Sequence, residues 1–125
     1  MGITVSLEKG IELKKVGWFI QTYFAQVGDK VLTIDDVGNW NGWDVVMLPT
    51  ASEIADLLPY KLLGGYEMAV FKTREGLYYV GYGSDISLEG FCFTHGSSFK
   101  KESLAEALAD LWLWCVSNKY IKVER

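Results

Sequence analysis

The 125-residue chain carries 12 Lys plus Arg against 16 Asp plus Glu, for a formal charge of −4, with one His and two Cys. Half of its residues are apolar and 22% are charged, a composition that excludes a disordered segment and predicts one globular domain over residues 1–125. A domain of this size buries roughly two thirds of its unfolded surface without needing a disulfide or structural metal, and its acidity argues against nucleic acid, whose phosphates are bound through Lys and Arg.

Ser6 is placed to cap a first helix in which Leu7, Ile11, Leu13 or Lys14, and Val16 approximate helical spacing and which Gly17 stops. Gly10 weakens that helix by about 1 kcal/mol relative to Ala. The aromatic and β-branched stretch from Trp18 to Ala25, the turn chemistry of Val27-Gly28-Asp29-Lys30 and the apolar run Val31 to Ile34 predict a hairpin. A polar, glycine-containing loop is expected from Asp35 to Asp44. In Pro49-Thr50-Ala51-Ser52-Glu53, Thr50 and Glu53 have the spacing of a capping box, so a short helix follows to Leu58 and ends before Pro59. Tyr66 to Lys72 and Leu77 to Gly83 read as strands joined through Thr73-Arg74-Glu75-Gly76, with Gly76 at a positive φ. A third strand is expected over Glu89 to Thr94, then a polar loop over Thr94 to Ser98. The last long element is a helix from about Lys101 to Asn118, with Leu104, Leu108, Leu111 and Cys115 at helical spacing. Trp112, Leu113, Trp114 and Val116 make it apolar nearly all round, so it is central to the fold or covers a partner. Tyr120 to Val123 forms a short strand or an extended tail. The fold class is therefore α+β: a small antiparallel sheet packed by an N-terminal helix, a short middle helix and a long C-terminal helix.

Cys92 and Cys115 show no CxxC or Cys/His spacing and read as reduced core thiols. The N-terminus lacks the basic and apolar regions of a signal peptide. The longest near-apolar run, Leu111 to Val116, falls far short of the ~20 residues that span a bilayer. These features predict a soluble cytoplasmic protein that does not engage a membrane.

Three segments carry a resemblance. They are Ser6-Leu7-Glu8 with Leu13-Lys14-Lys15-Val16-Gly17; Leu48-Pro49-Thr50 with Glu53 and Leu57-Leu58-Pro59; and Leu104-Ala105-Glu106-Ala107-Leu108-Ala109-Asp110-Leu111-Trp112-Leu113-Trp114 followed by Tyr120-Ile121. In this order they resemble small uncharacterised accessory proteins of bacteriophages, prophages and other mobile elements. The resemblance implies action in the cytoplasm of a bacterial host and favours binding to a host factor, including inhibition of antiphage defence. It brings no catalytic residue with it. Cys115 departs from its pattern, where a larger apolar residue is expected.

Chemistry has few candidates. His95 is the sole imidazole, so a histidine zinc site cannot form within one chain and a nucleophilic dyad rests on Cys92 alone. Asp35, Asp36 and Asp44 lack the spacing of a calcium loop and read as turn acids. Gly81-Tyr82-Gly83-Ser84 and Leu63-Gly64-Gly65-Tyr66 continue into neither phosphate-binding motif. Lys100-Lys101, Lys72 and Arg74 are too scattered for a nucleic-acid track.

The segment Asp35-Asp36-Val37-Gly38-Asn39-Trp40-Asn41-Gly42-Trp43-Asp44 stands out. Its tryptophans either fold back over the sheet or serve as anchors for a partner. Residues 29–58 hold Asp29, Asp35, Asp36, Asp44, Glu53 and Asp56 against Lys30 alone, so the whole negative balance lies here and favours a basic target surface. The expectation is a non-enzymatic, cofactor-free module that binds a host protein through Asp35, Asp36, Asn39, Trp40, Asn41, Trp43 and Asp44. The alternatives are a small-molecule binder with Tyr23, Tyr79 and Trp43 around a pocket, and a homodimer formed through the C-terminal helix.

Overall fold

The structure is a computed structural model that describes residues 3–18, 20–62, 66–87 and 90–122, and their side chains except at 84–87, 90–98 and 100. Ser6 Oγ accepts the Lys9 N–H at 3.2 Å and opens helix α1 (Leu7–Val16). Gly17 closes it, since a φ of 119° lets its N–H reach the Leu13 and Lys14 carbonyls. The expected apolar stripe is turned: Leu7 and Ile11 are exposed, and the buried face is Gly10 and Leu13. Strand β3 (Val46–Leu48) is the reason. A Cβ at Gly10 would lie 2.9 Å from both the Met47 carbonyl oxygen and Leu48 Cδ2, so only glycine lets the helix lie this close.

The strands fall into two antiparallel sheets rather than one, within the expected α+β class. In the first, ordered β2-β1-β3, strands β1 (Phe24–Val27) and β2 (Lys30–Thr33) form the hairpin around Gly28 and Asp29, with Gly28 at φ 62°. The first strand starts at Phe24, well after the expected Trp18, because Trp18 is drawn into the core edge-on to Trp112 with centroids 5.1 Å apart. A one-turn helix, α2 (Ile34–Val37), replaces the start of the expected loop. The Ile34 N–H donates to Tyr23 O at 2.8 Å and continues the ladder, which turns the backbone groups of Val31 and Thr33 to the free side of β2. There the Thr33 N–H donates to Asp36 Oδ2 at 3.0 Å.

Helix α3 (Ala51–Leu57) begins at the predicted capping box, with Glu53 N–H to Thr50 Oγ1 at 3.2 Å and Thr50 N–H to Glu53 Oε1 at 2.8 Å, and ends at Leu58 before Pro59. The second sheet is ordered β4-β5-β6-β7: β4 (Lys61–Leu62), β5 (Tyr66–Lys72), β6 (Tyr78–Ser87) and β7 (Gly90–Lys101). Gly76 adopts φ 85° in the β5–β6 connection, as predicted. Gly81–Ser84 lies inside β6, and the expected Thr94–Ser98 loop is part of β7. Shifts of register between Val80 and Ser87 let the irregular glycine-containing sequence stay paired.

Helix α4 (Leu104–Ser117) starts later than predicted, where Ser103 Oγ accepts the Glu106 N–H at 3.3 Å. It packs against α1, α3, β6 and β7. Most of its apolar girth is taken up internally: Leu108, Leu111, Trp112, Cys115 and three alanines are buried, and Leu104, Leu113, Trp114 and Val116 are half-buried against the same core. After it the chain bends back instead of forming a strand or an extended tail: Tyr120 N–H donates to Cys115 O at 2.8 Å, while Val123 lies outside the described residues. Ser6 N–H to Glu106 Oε2 at 2.7 Å and Lys9 Nζ to Asp110 latch α1 to α4. Burial alone would lower the Lys9 pKa, but its hydrogen bonds to Asp110 and Glu12 outweigh that and hold it above the ordinary lysine value.

Strand β6 places a hydroxyl beside Cys115. The Sγ donates to Tyr82 Oη at 3.9 Å, and Tyr82 donates to Pro59 O at 2.6 Å, so a buried polar chain joins α4, β6 and the end of α3. Burial pushes the Cys115 thiol up to about 11, which leaves almost no thiolate at neutral pH. In a Cys92→Ser chain at pH 8, iodoacetamide is expected to leave Cys115 unmodified by mass spectrometry until denaturant is added. Rapid native labelling would contradict the buried relay.

Candidate functional site

The two tryptophans are set by one tight turn. Trp43 N–H donates to Trp40 O at 3.1 Å, with Gly42 at φ 81°, so Trp40 and Trp43 occupy the first and last positions of a turn whose third residue must tolerate positive φ. Asn39 Oδ1 accepts the Asn41 N–H at 2.9 Å and braces it. The Gln21 amide grips the turn from outside: its Oε1 accepts the Trp40 N–H and its Nε2 donates to Asn41 Oδ1, both at 3.0 Å.

This turn gives the rings opposite fates. Trp40 is 2% exposed, packs with Ala25 and Val45 against the first sheet, and donates from Nε1 to Thr22 O at 2.6 Å. It is therefore a support and not a contact surface. Trp43 is 45% exposed and meets Trp40 edge-on, at 6.2 Å between centroids and 90° between planes. The pair is therefore split: Trp40 folds back over the sheet, and Trp43 presents its ring to solvent.

The acids separate as well. Asp35 accepts a short hydrogen bond from Tyr23 Oη, and that bond holds the phenol above its ordinary pKa. Asp36 accepts from the Thr33 N–H and hydroxyl. Asp44 is fully exposed, 3.6 Å from Lys14 Nζ. The three carboxylates thus have three different partners and do not converge on a common cation. All the predicted site residues but Trp40 are exposed; Asn39 and Asn41 shape the turn and Asp35 and Asp36 bond to the hairpin, which leaves Trp43 and Asp44 at the edge of a neighbouring cleft.

Beside Trp43 lies a cleft of about 240 Å³ walled by Gly10, Lys14, Trp18, Trp40, Val45 and Met47. Lys14 Nζ donates to Val45 O at 3.0 Å across its rim. Neither Tyr23 nor Tyr79 is among its walls, so the three aromatic residues expected around a ligand pocket do not share one there. Trp18 also walls an apolar cleft of about 140 Å³ with Gly17, Ile20, Leu57, Trp112 and Ile121. Sequence reasoning missed Gln21, Lys14 and Thr22, which act on the turn from distant positions. No local signal marks Gln21 or Thr22, whereas Lys14 belongs to the basic end of α1.

Cys92 and His95 sit on β7 with backbone registers opposite Ser84 and Tyr82, and their side chains, which a dyad would require, lie outside those described. Among the described residues no helix is long and apolar enough to cross a membrane. Set against protein-family models, curated proteins and solved structures, the chain matches none of them.

Proposed function

We propose that the protein is a non-enzymatic protein-binding module, an accessory protein of a phage or prophage that occupies a surface of a host factor in the bacterial cytoplasm, with antiphage defence as the kind of system it inhibits. The observation that carries this reading is Trp43: a large aromatic ring, 45% exposed, held at the rim of a cleft by a turn that buries its neighbour Trp40. Leaving such a ring in water gives up apolar burial that a partner would recover, and aromatic residues dominate interface hot spots when they fill pockets. The mechanism is steric, with the folded core presenting the turn and the acids orienting the encounter. Catalysis, cofactors and nucleic acid have no part in it. A homodimer through α4 is the weaker arrangement, because the apolar residues it would need are packed wholly or partly against the core.

Affinity capture from host lysate, read by mass spectrometry, tests the reading. The wild-type chain is expected to retain one or a few host proteins that a Trp43→Ala chain with an unchanged circular dichroism spectrum loses. Equal recovery by both, or none by either, would overturn it.

A further inference from the structure

We propose that the Trp43 cleft takes an arginine side chain of the partner, with its guanidinium lying on the Trp43 indole and paired with the Asp44 carboxylate. The inference rests on the partner-binding reading and specifies the chemistry of the occupant.

The chain already builds a cation position here. The Val45 carbonyl, at 3.0 Å, and Asp44 Oδ1, at 3.6 Å, converge on Lys14 Nζ at the mouth of the tryptophan-lined cleft. Lys14 holds that position loosely, since both its side chain and that of Asp44 are open to solvent and an exposed pair contributes little. An incoming cation can therefore take Asp44 from it. Trp43 adds a ring face fixed in advance by its edge contact with Trp40, so little ordering is paid on binding.

Arginine suits this mouth better than lysine. Its guanidinium is planar and weakly hydrated, stacks on an indole and presents a fork to a carboxylate, whereas an ammonium is a strongly hydrated point charge. The surplus of acids over Lys30 in residues 29–58, the segment that carries Trp43 and Asp44, favours a basic partner segment.

The test uses the full chain labelled with ¹⁵N and follows its indole N–H resonances, that of Trp43 being assigned by its loss in Trp43→Ala. The probes are acetyl-Gly-Arg-Gly-Arg-Gly-amide and its lysine and citrulline counterparts. The arginine peptide is expected to shift the Trp43 resonance saturably, the lysine peptide to bind about two- to fivefold more weakly, and the citrulline peptide not at all. Asp44→Asn, a fully exposed change that leaves the fold alone, is expected to weaken the arginine peptide by up to about fivefold. Lys14→Gln is expected to strengthen it, because the competing cation is gone. Equal binding of the arginine and lysine peptides, binding unaffected by Trp43→Ala or Asp44→Asn, or no shift at Trp43 would each overturn the proposal. If the arginine peptide fails while Trp43→Ala still abolishes capture of a host protein, the partner-binding reading stands and the arginine assignment falls; failure of both removes both.

Discussion

Trp40→Ala is expected to destabilise the protein by about 3–5 kcal/mol, the cost of removing a large aromatic side chain from a packed interior. A chain of this length has roughly 6–19 kcal/mol in total, so the loss is a large fraction of it. Two effects add at this position. The indole fills the small cluster of Ala25 and Val45 on the first sheet, and its Nε1–H satisfies the Thr22 carbonyl, which would be left without that partner. Trp40→Phe separates them: it keeps most of the apolar volume and loses the donor, so its cost is expected nearer about 1–3 kcal/mol. Urea unfolding with an unchanged slope measures both. A cost for Trp40→Ala below that of Trp40→Phe would contradict the buried placement. Because Trp43 leans on Trp40, the same variant is expected to lose partner capture even where the chain remains folded.

Gly10→Ala carries the second large effect, and its sign is the informative part. In an exposed helix this change stabilises by about 1 kcal/mol through helix propensity. Here the added Cβ would stand 2.9 Å from the Met47 carbonyl oxygen, and a strand backbone cannot swing away as a side chain can. Overpacking of this kind costs about 1–3 kcal/mol, so the expected net result is a loss, with α1 displaced from β3. Lys14 lies one turn further along α1 and reaches Val45 across the cleft, so its contact is expected to loosen in step. Thermal unfolding gives the sign directly, and a rise in midpoint would refute the close approach.

These two positions also mark what the sequence discloses. Caps and turns were legible because they are local: Thr50 and Glu53 satisfy each other three residues apart, and Gly76 supplies the positive φ that its turn demands. The final helix was legible because its apolar residues repeat at helical spacing over fourteen positions. Gly10 looked like a flaw in α1 because its justification, the backbone of β3, is far away in sequence. The Gly96-Ser97-Ser98 stretch carries turn chemistry, yet it lies within β7 at a shift of register, held between the pairs Tyr82–His95 and Val80–Phe99 on either side, a case of tertiary pairing overriding local preference. At the site, the sequence disclosed a polar, glycine-containing loop and its charge, and not the tight turn at Asn41-Gly42. Which tryptophan would be buried was not legible, since that depends on the Thr22 carbonyl and the Gln21 amide. The number of acids near Trp43 likewise did not reveal that two of them serve the hairpin and one faces the solvent.

Asp36 shows what that division achieves. Strand β2 borders its sheet, and its unpaired amides would be a template on which a strand from a second molecule could grow. At Thr33 that template is already occupied by a carboxylate, which an arriving strand would have to expel or bury. Lys30 begins the same strand with an exposed charge. Both features oppose the addition of a further strand at this edge of the hairpin that supports the tryptophan turn, so part of the acidity of the segment works against edge-to-edge pairing.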